Sequence, residues 1–203
     1  MLVDTLRSLG ISPEEIGRVI LTRAHWDHSQ NTDLFPNAEI VISKRELEYS
    51  RNPRVNDYAT AKYFADTRSL HTVIEVSGET ELEEGLGSFD TPGHTAGHQS
   101  GVVGTSGGLV CLGGDAISDA GASRRGMPAF VFWSVEQAQT SLKKIPATVD
   151  VIYPGHGRPF GIDGENGEYS IKIDGFLDST RDLVSVELGL PPKFEPRINP
   201  DAI

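Results

Sequence analysis

Short apolar runs alternate with polar, glycine-rich segments along most of the chain, and this pattern predicts a mixed α/β fold. Short runs of apolar residues, several of them rich in β-branched residues, predict strands at residues 19–22, 39–43, 72–76, 86–90, 99–104, 109–112 and 149–153. Apolar residues at helical spacing predict helices at residues 1–10 and 134–145, and further helices are predicted at 43–49, after Ser43 as a cap, and at 176–190, before two prolines. In the helix at 134–145, Ser134 is the predicted N-cap, and Val135, Ala138, Leu142 and Ile145 are predicted to line its apolar face. In this order, the elements predict helices flanking two mixed sheets, an αβ/βα four-layer sandwich. No long linker interrupts them, so residues 1–203 are predicted to form a single domain.

Metal-capable side chains follow four of the predicted strands, at the points where those strands end. They are His25, Asp27, His28, His94, Asp115 and His156. Imidazole and carboxylate groups bind borderline divalent metals, and placing them beside tight turns gains no apolar burial. A single such cluster is more typical of solvated or capping groups, but the repetition after four strands favours one shared metal site. On a non-helical turn, His25 and His28 would point in different directions and could serve two neighbouring metal positions.

The chain contains four short motifs around these side chains. They are His25-x-Asp27-His28, Thr91-Pro92-Gly93-His94-x-x-Gly97-His98, Gly113-Gly114-Asp115 and Pro154-Gly155-His156-Gly157. In their order and spacing, from about Ile16 to Phe160, they resemble the metallo-β-lactamase superfamily, whose fold is the sandwich predicted above. Residues 91–100 and 34–38 are most similar to the N-acyl-homoserine lactonase branch, and hydroxyacylglutathione hydrolases are similar but less close.

The resemblance implies two neighbouring metal positions that share one carboxylate. The first would comprise His25 and His94, and the second Asp27, His28 and His156, with Asp115 bridging them. Three protein ligands and a water are enough for a catalytic zinc. Asp27 is the predicted catalytic residue, because it would orient the attacking water and take its proton. His98 is expected to form hydrogen bonds within its own turn and not to bind metal.

Arg23 departs from the superfamily pattern, since a histidine normally lies at this place, two positions before His25. A guanidinium stays protonated and cannot bind a cation. If it lay within roughly 5 Å of a divalent ion, repulsion at an effective dielectric of about 20 would reach about 6–7 kcal/mol unless the side chain swung outward. We therefore predict a dominant metal at the second position and a weak or vacant first position. Arg23 is also a candidate for binding the substrate or a developing oxyanion.

Two further departures concern the substrate and the assembly. In the lactonase branch a tyrosine usually follows the bridging aspartate by three positions, where this chain has Ser118, so ester, thioester and lactone substrates all stay open. The superfamily also has several strands before the first motif, whereas about one helix and a turn precede it here. A sheet lacking those strands would have an open edge, which predicts a homodimer or larger homo-oligomer.

These features predict a metal-dependent hydrolase that attacks an ester, thioester or lactone carbonyl with a metal-bound hydroxide. Zinc is the expected metal, as one or two ions, although iron or manganese also suits nitrogen and oxygen ligands. A mononuclear-iron oxidoreductase of the same fold and a degenerate, non-catalytic metal-binding relative are the alternatives. Residues 52–69 and 120–133 would form the pocket walls, and the aromatic cluster Phe130, Phe132 and Trp133 is either core or an apolar acyl pocket.

The composition narrows the range of partners. A formal net charge of −11 argues against nucleic acid or an anionic membrane surface and leaves a small-molecule substrate. The single cysteine, Cys111, cannot form an internal disulfide and lies in an apolar run typical of a core thiol. The sequence shows neither a membrane-spanning run nor a signal-peptide pattern, so we expect a cytoplasmic protein.

Overall fold

The computed structural model of the chain describes residues 2–61, 63–68, 70–165 and 168–172. It contains two β-sheets flanked by helices, which confirms the predicted architecture. The helix predicted at residues 176–190 lies outside the described residues. None of the helices in the described ranges is both long and apolar enough to cross a lipid bilayer.

The smaller sheet is parallel and is built from strand–helix–strand units. Its described strands lie in the order β1 (Arg18–Ile20), β2 (Glu39–Ser43), β3 (Val73–Val76). The helices that precede and connect them are α1 (Leu2–Ser8), α2 (Trp26–Ser29), α3 (Lys44–Arg51) and α4 (Phe64–Arg68). The central strand β2 is almost entirely buried, as expected of a parallel strand that is covered on both faces. Its core cluster comprises Leu21, Ala24, Ile40, Ile42, Leu47 and Phe64.

The larger sheet is mixed, and seven of its strands lie in the described part of the chain. They are β4 (Thr80–Glu83), β5 (Leu86–Asp90), β6 (Gln99–Thr105), β7 (Gly108–Gly114), β8 (Val151–Pro154), β9 (Phe160–Glu165) and β10 (Glu168–Lys172). Their spatial order runs from β10 to β4 without a break in numbering. All neighbours are antiparallel except β7 and β8. The sequence did not predict β4, β9 or β10.

A short 3-10 helix (Asp115–Ile117) and two α-helices follow β7, and the α-helices are α5 (Ala120–Arg125) and α6 (Val135–Lys144). As predicted, Ser134 caps α6, because its Oγ accepts a hydrogen bond from Gln137 N (3.2 Å). Ala138 and Leu142 are buried, but Val135 is half exposed and does not belong to the apolar face, contrary to the prediction. The core that α6 covers comprises Phe89, Cys111, Ala116, Ile117, Ala122, Leu142, Ile145, Val149, Ile152 and Phe160.

The strand directions explain why the motif loops meet at one edge. β5 and β7 run in the same direction because both are antiparallel to β6, and β8 is parallel to β7. Their carboxyl ends therefore lie at one edge, where the loops carrying His94, Asp115 and His156 begin. The segment after β1 is joined to this edge because Gln99 N donates a hydrogen bond to Thr22 O (2.9 Å).

Candidate metal centre

The segment after β1 is helical, which corrects the prediction of a non-helical turn. α2 forms a single turn, in which His28 N and Ser29 Oγ both donate to His25 O at 3.0 Å. His25 lies at the N-cap with an extended backbone, before the helical residues begin. The two imidazoles still have different partners, since His25 lies beside His94 and His28 lies beside His156.

Asp27, His28 and His156 form a compact cluster of potential ligands. His28 Nε2 lies 3.3 Å from His156 Nε2 and 3.1 Å from Asp27 Oδ2. The distance from His156 Nε2 to the same carboxylate oxygen is 3.5 Å. One ligand atom from each of the three residues lies within 4.8 Å of the others. Asp27 and His156 are exposed, so a small molecule can reach the cluster from solvent.

Asp115 extends this cluster into the protein. Its Oδ1 lies 3.3 Å from His156 Nε2 and 3.9 Å from His28 Nε2. This oxygen is buried and has no hydrogen-bond partner among the described residues. A buried carboxylate oxygen without a partner is costly, and coordination of a cation would remove that cost. We call Asp27, His28, His156 and Asp115 Oδ1 the outer group, and its donor set fits a divalent cation.

The protonation of His28 agrees with this fit. Burial, and after it the nearby Arg23 guanidinium, lowers the pKa of His28 to about 4. The imidazole is therefore neutral at neutral pH, which is the form that binds a metal.

Arg23 lies inside the site and is almost completely buried, with 1% of its surface exposed. Its Nε donates a hydrogen bond to His25 Nδ1 (3.0 Å), and its Nη2 donates to Asp115 Oδ2. The same Nη2 lies 3.9 Å from Asp27 Oδ2. His25 Nδ1 in turn lies 3.2 Å from His94 Nε2. We call Arg23, His25, His94 and Asp115 Oδ2 the inner group.

Opposite charges stabilise each other across the boundary between the two groups. Burial lowers the pKa of Arg23, and the carboxylates of Asp115 and Asp27 oppose this effect. Burial alone would raise the pKa of Asp115, but Arg23 and then His94 more than compensate and hold that pKa below its usual value. Asp115 is therefore an anion that is shared between a guanidinium on one oxygen and the outer group on the other.

Hydrogen bonds from neighbouring loops orient the two inner imidazoles. His25 Nε2 lies 3.2 Å from Asp57 Oδ1, and Tyr49 Oη donates to Asp57 Oδ2 (2.8 Å). His94 Nδ1 lies 2.8 Å from Phe130 O, to which it can donate when protonated there. Burial, and then Arg23, lowers the pKa of His94 to about 3. Both rings are thus fixed with one nitrogen facing the inner group.

His98 supports the site without joining the outer group. Its Nδ1 lies 2.8 Å from Thr91 Oγ1, in agreement with the predicted hydrogen bonding within its own turn. Its Nε2 also accepts hydrogen bonds from Asp115 N (3.1 Å) and Ala116 N (3.3 Å), which fixes the loop after β7. Gly114 has φ 51°, and a Cβ at this position would lie 2.7 Å from His98 Nε2. Only glycine fits this turn without strain.

Two buried carboxylates that position the site were missed in the sequence. Glu46, on α3, accepts hydrogen bonds from Ala24 N (3.0 Å), Thr95 Oγ1 (2.7 Å) and Gly97 N (2.9 Å). It therefore ties the loop that carries His25 to the loop between β5 and β6, and its complete burial raises its pKa. The other is Asp57, described above, for which the only local signal is the Asp-x-x-Thr pattern of a turn.

An aromatic surface borders the inner group. The Phe132 ring packs edge-on against His25 and His94, with centroid distances of 5.1 and 5.3 Å. Phe132 is buried and belongs to the core, whereas Phe130 and Tyr58 are exposed beside it. The predicted aromatic cluster is therefore divided, since one ring supports the histidines and a second is open to solvent.

The sheet architecture and this set of imidazoles and carboxylates are those of a metallohydrolase fold. Residues 1–156 match the metallo-beta-lactamase superfamily. The chain belongs to this superfamily.

Two curated relatives illustrate the relationship. The chain is 34% identical to metallo-beta-lactamase domain-containing protein 1 of Xenopus laevis over 162 residues, which cover 79% of this chain and 62% of that protein. It is 28% identical to an N-acyl homoserine lactonase of a Bacillus species over 160 residues, which cover 76% and 61%. The chain thus spans about three fifths of the length of these relatives.

Solved structures show the same fold. A mutant of AiiA from B. thuringiensis with N-decanoyl-L-homoserine bound at the active site gives a TM-score of 0.61 at 25% identity, covering 76% of this chain and 61% of that chain. AidC, a dizinc quorum-quenching lactonase, gives a TM-score of 0.69 at 18% identity, covering 87% and 70%. The likeness to AidC concerns the fold alone.

Proposed function

We propose that the protein is a metal-dependent hydrolase of a small substrate with an ester, thioester or lactone carbonyl. The observation that carries this proposal is the outer group, in which two imidazoles, an exposed carboxylate and a buried carboxylate oxygen without a hydrogen-bond partner among the described residues converge. Membership of the superfamily supports metal-dependent hydrolysis in general. The carbonyl substrate is proposed from the names of the lactonase relatives.

Asp27, His28, His156 and Asp115 would hold the metal, and zinc is the proposed ion because imidazole and carboxylate ligands suit it. When bound, such an ion lowers the pKa of a water ligand and polarises a carbonyl oxygen. Iron or manganese would suit the same nitrogen and oxygen ligands.

Asp27 is the proposed catalytic residue, because its carboxylate contacts His28 and His156 and is also accessible to solvent. Its Oδ2 faces both His28 and His156, and its side chain is 29% exposed. A carboxylate in this place can orient a water molecule by accepting a hydrogen bond and can then take its proton. Asp115 is mostly buried and held by Arg23, so it is suited to binding and not to proton transfer.

The predicted role of Arg23 toward a developing oxyanion stays a prediction. Its Nη1 has no hydrogen-bond partner among the described residues, so it is the donor that such a role would use. The atom is buried, and local movement would be needed before a substrate oxygen could reach it.

Ser118 gives no support for restricting the substrate to lactones. Its Oγ donates to Asp119 Oδ2 (3.2 Å), and its backbone oxygen accepts from His156 N (2.9 Å) and Gly157 N (3.0 Å). Its contacts thus fix the loop that carries His156 and do not present a hydroxyl to the outer group. The exposed rings of Phe130 and Tyr58 offer an apolar surface for an acyl chain of any of the three substrate types.

The experiment that tests this function is a hydrolysis assay with an aryl ester, a thioester and an acyl-homoserine lactone. We expect turnover of at least one substrate that chelation abolishes and zinc restores. An Asp27→Asn variant should lose about 100-fold or more of the rate, since it removes the proton acceptor. Glu81→Gln is the control and should keep full activity, since Glu81 is exposed on β4, the strand at one edge of the larger sheet.

Metal analysis and oxygen-uptake measurements, made alongside this assay, distinguish the alternatives. Bound iron with oxygen consumption, and no hydrolysis, would instead indicate a mononuclear-iron oxidoreductase. Metal binding without turnover of any substrate would indicate a non-catalytic relative.

We also propose that the protein forms a homodimer or larger homo-oligomer. The outer strands β1 and β3 of the smaller sheet each have one side without a strand partner in the described part of the chain, and such edges can recruit a second chain. Size-exclusion chromatography with light scattering tests this, and a monomer at all concentrations would contradict it. The cytoplasmic location stays a prediction.

A further inference from the structure

The inner group contains the ligand types of a metal site, but a guanidinium cation already lies among them. Two imidazole nitrogens and one carboxylate oxygen converge, with His25 Nδ1 3.2 Å from His94 Nε2 and His94 Nε2 3.4 Å from Asp115 Oδ2. The Arg23 guanidinium lies among these atoms and donates to His25 Nδ1 and to Asp115 Oδ2.

The burial of Arg23 shows that the guanidinium is a fixed part of the site. Only 1% of its surface is exposed, so the outward orientation that would relieve repulsion with a metal is not the one adopted. An arginine is kept charged under all ordinary conditions and needs anions close by when it is buried. Asp115 and Asp27 supply these anions.

We infer that Arg23 replaces a metal ion in the inner group, so that the protein binds one divalent cation, in the outer group, and not two. The guanidinium engages the lone pair of His25 Nδ1 and one oxygen of Asp115, which are then not free to coordinate an ion. Asp115 keeps its second oxygen for the outer group, where it has no other partner among the described residues.

This inference deepens the proposed function and rests on it, because both need a metal in the outer group. It also makes a separate claim about the number of ions. The number of zinc ions per chain therefore tests this claim, and it can be measured without an activity assay.

The test is native mass spectrometry of the full chain after saturation with zinc and removal of the excess. The wild-type protein should carry one zinc per chain. An Arg23→His variant removes the guanidinium and adds a third imidazole to the inner group, so it should carry two. Arg18→His is the matched control, since Arg18 lies on β1 in ion pairs with Glu39 and Glu83 and away from both groups, and it should carry one.

Each result has a defined meaning. Two zinc ions on the wild-type chain would overturn the replacement of a metal by Arg23 while leaving the metal-dependent function intact. No zinc on the wild-type chain would overturn both proposals. A folded Arg23→His variant that still carries one zinc would overturn the inference. If that variant does not fold, as judged by circular dichroism, the wild-type count alone decides between one ion and two.

Discussion

At the scale of single residues, a few buried carboxylates set the geometry of the site. Asp115 divides its two oxygens between the Arg23 guanidinium and the imidazoles of the outer group. Glu46 and Asp57 do not face the outer group, but they hold the loops and the ring of His25 in place. A change at such a residue should therefore act first on stability.

We predict that Glu46→Gln destabilises the protein by about 1–3 kcal/mol, because one amide cannot replace both carboxylate oxygens as acceptors. At least one of the N–H groups of Ala24 and Gly97, or the Thr95 hydroxyl, would then lose its acceptor. Urea unfolding measures the loss. Glu48→Gln, two residues away on the exposed side of α3, should change stability by only a few tenths. Equal values for the two variants would contradict this role of Glu46.

The sequence predicted the metal-capable residues but not the residues that support them. His25 and His28 belong to a His-x-Asp-His motif, and His94 and His156 belong to glycine-containing motifs that follow it in a recognisable order. Glu46 lies in an ordinary helical segment, where a carboxylate normally faces solvent, and its burial depends on loops about 50 residues further along the chain. The inward orientation of Arg23 could not be predicted either, since it depends on where Asp115 lies after folding.

At the scale of elements, four strands of the larger sheet, β5 to β8, were predictable because most are apolar and end in turns, whereas β4, β9 and β10 were not predicted. β4 was missed because its alternate residues are acidic, and acidic residues are depleted in strands. α2 was missed because its single turn has no apolar periodicity to show it. For both β4 and α2, contacts with neighbouring elements determine the structure, and the intrinsic helix or strand propensity of the residues does not.

The close packing of the loop before β6 against α3 gives a second prediction. A Cβ on Gly97 would collide with the backbone of Arg45 and Glu46. Overpacking typically costs about 1–3 kcal/mol. We expect Gly97→Ala to destabilise the protein by about 3 kcal/mol or more, because the backbone of α3 cannot easily move aside. Gly101→Ala, on β6, would place its Cβ 3.5 Å from the Leu112 side chain and should be tolerated. Urea unfolding of both variants checks this, and a stable Gly97→Ala protein would show that the packing is looser than described.

At the scale of the whole molecule, the site joins two sheets through charged groups that are held away from water. Such an arrangement makes the stability of the metal-free protein depend on pH. The folded state keeps His28 and His94 neutral down to about pH 4 and about pH 3, whereas an unfolded histidine becomes protonated below about pH 6.5.

We therefore predict that the free energy of unfolding of the metal-free protein falls as pH is lowered from about 6.5 to about 4, because the unfolded chain then binds more protons. These two residues should cause no dependence above that range, where both states are neutral. The pKa of Glu46 is raised, so the folded state binds this proton at a higher pH than the unfolded chain does, which offsets part of the loss of stability. Urea unfolding in the presence of a chelator measures the effect. A free energy that stays constant or rises over this range would contradict it.

The central claim is that the outer group binds a divalent metal. An anomalous-scattering map from crystals grown with zinc, recorded at the zinc absorption edge, tests it most directly. We predict one peak among Asp27, His28, His156 and Asp115 Oδ1, and none between His25 and His94. If crystals grown at a saturating zinc concentration show no peak in the outer group, the claim is contradicted.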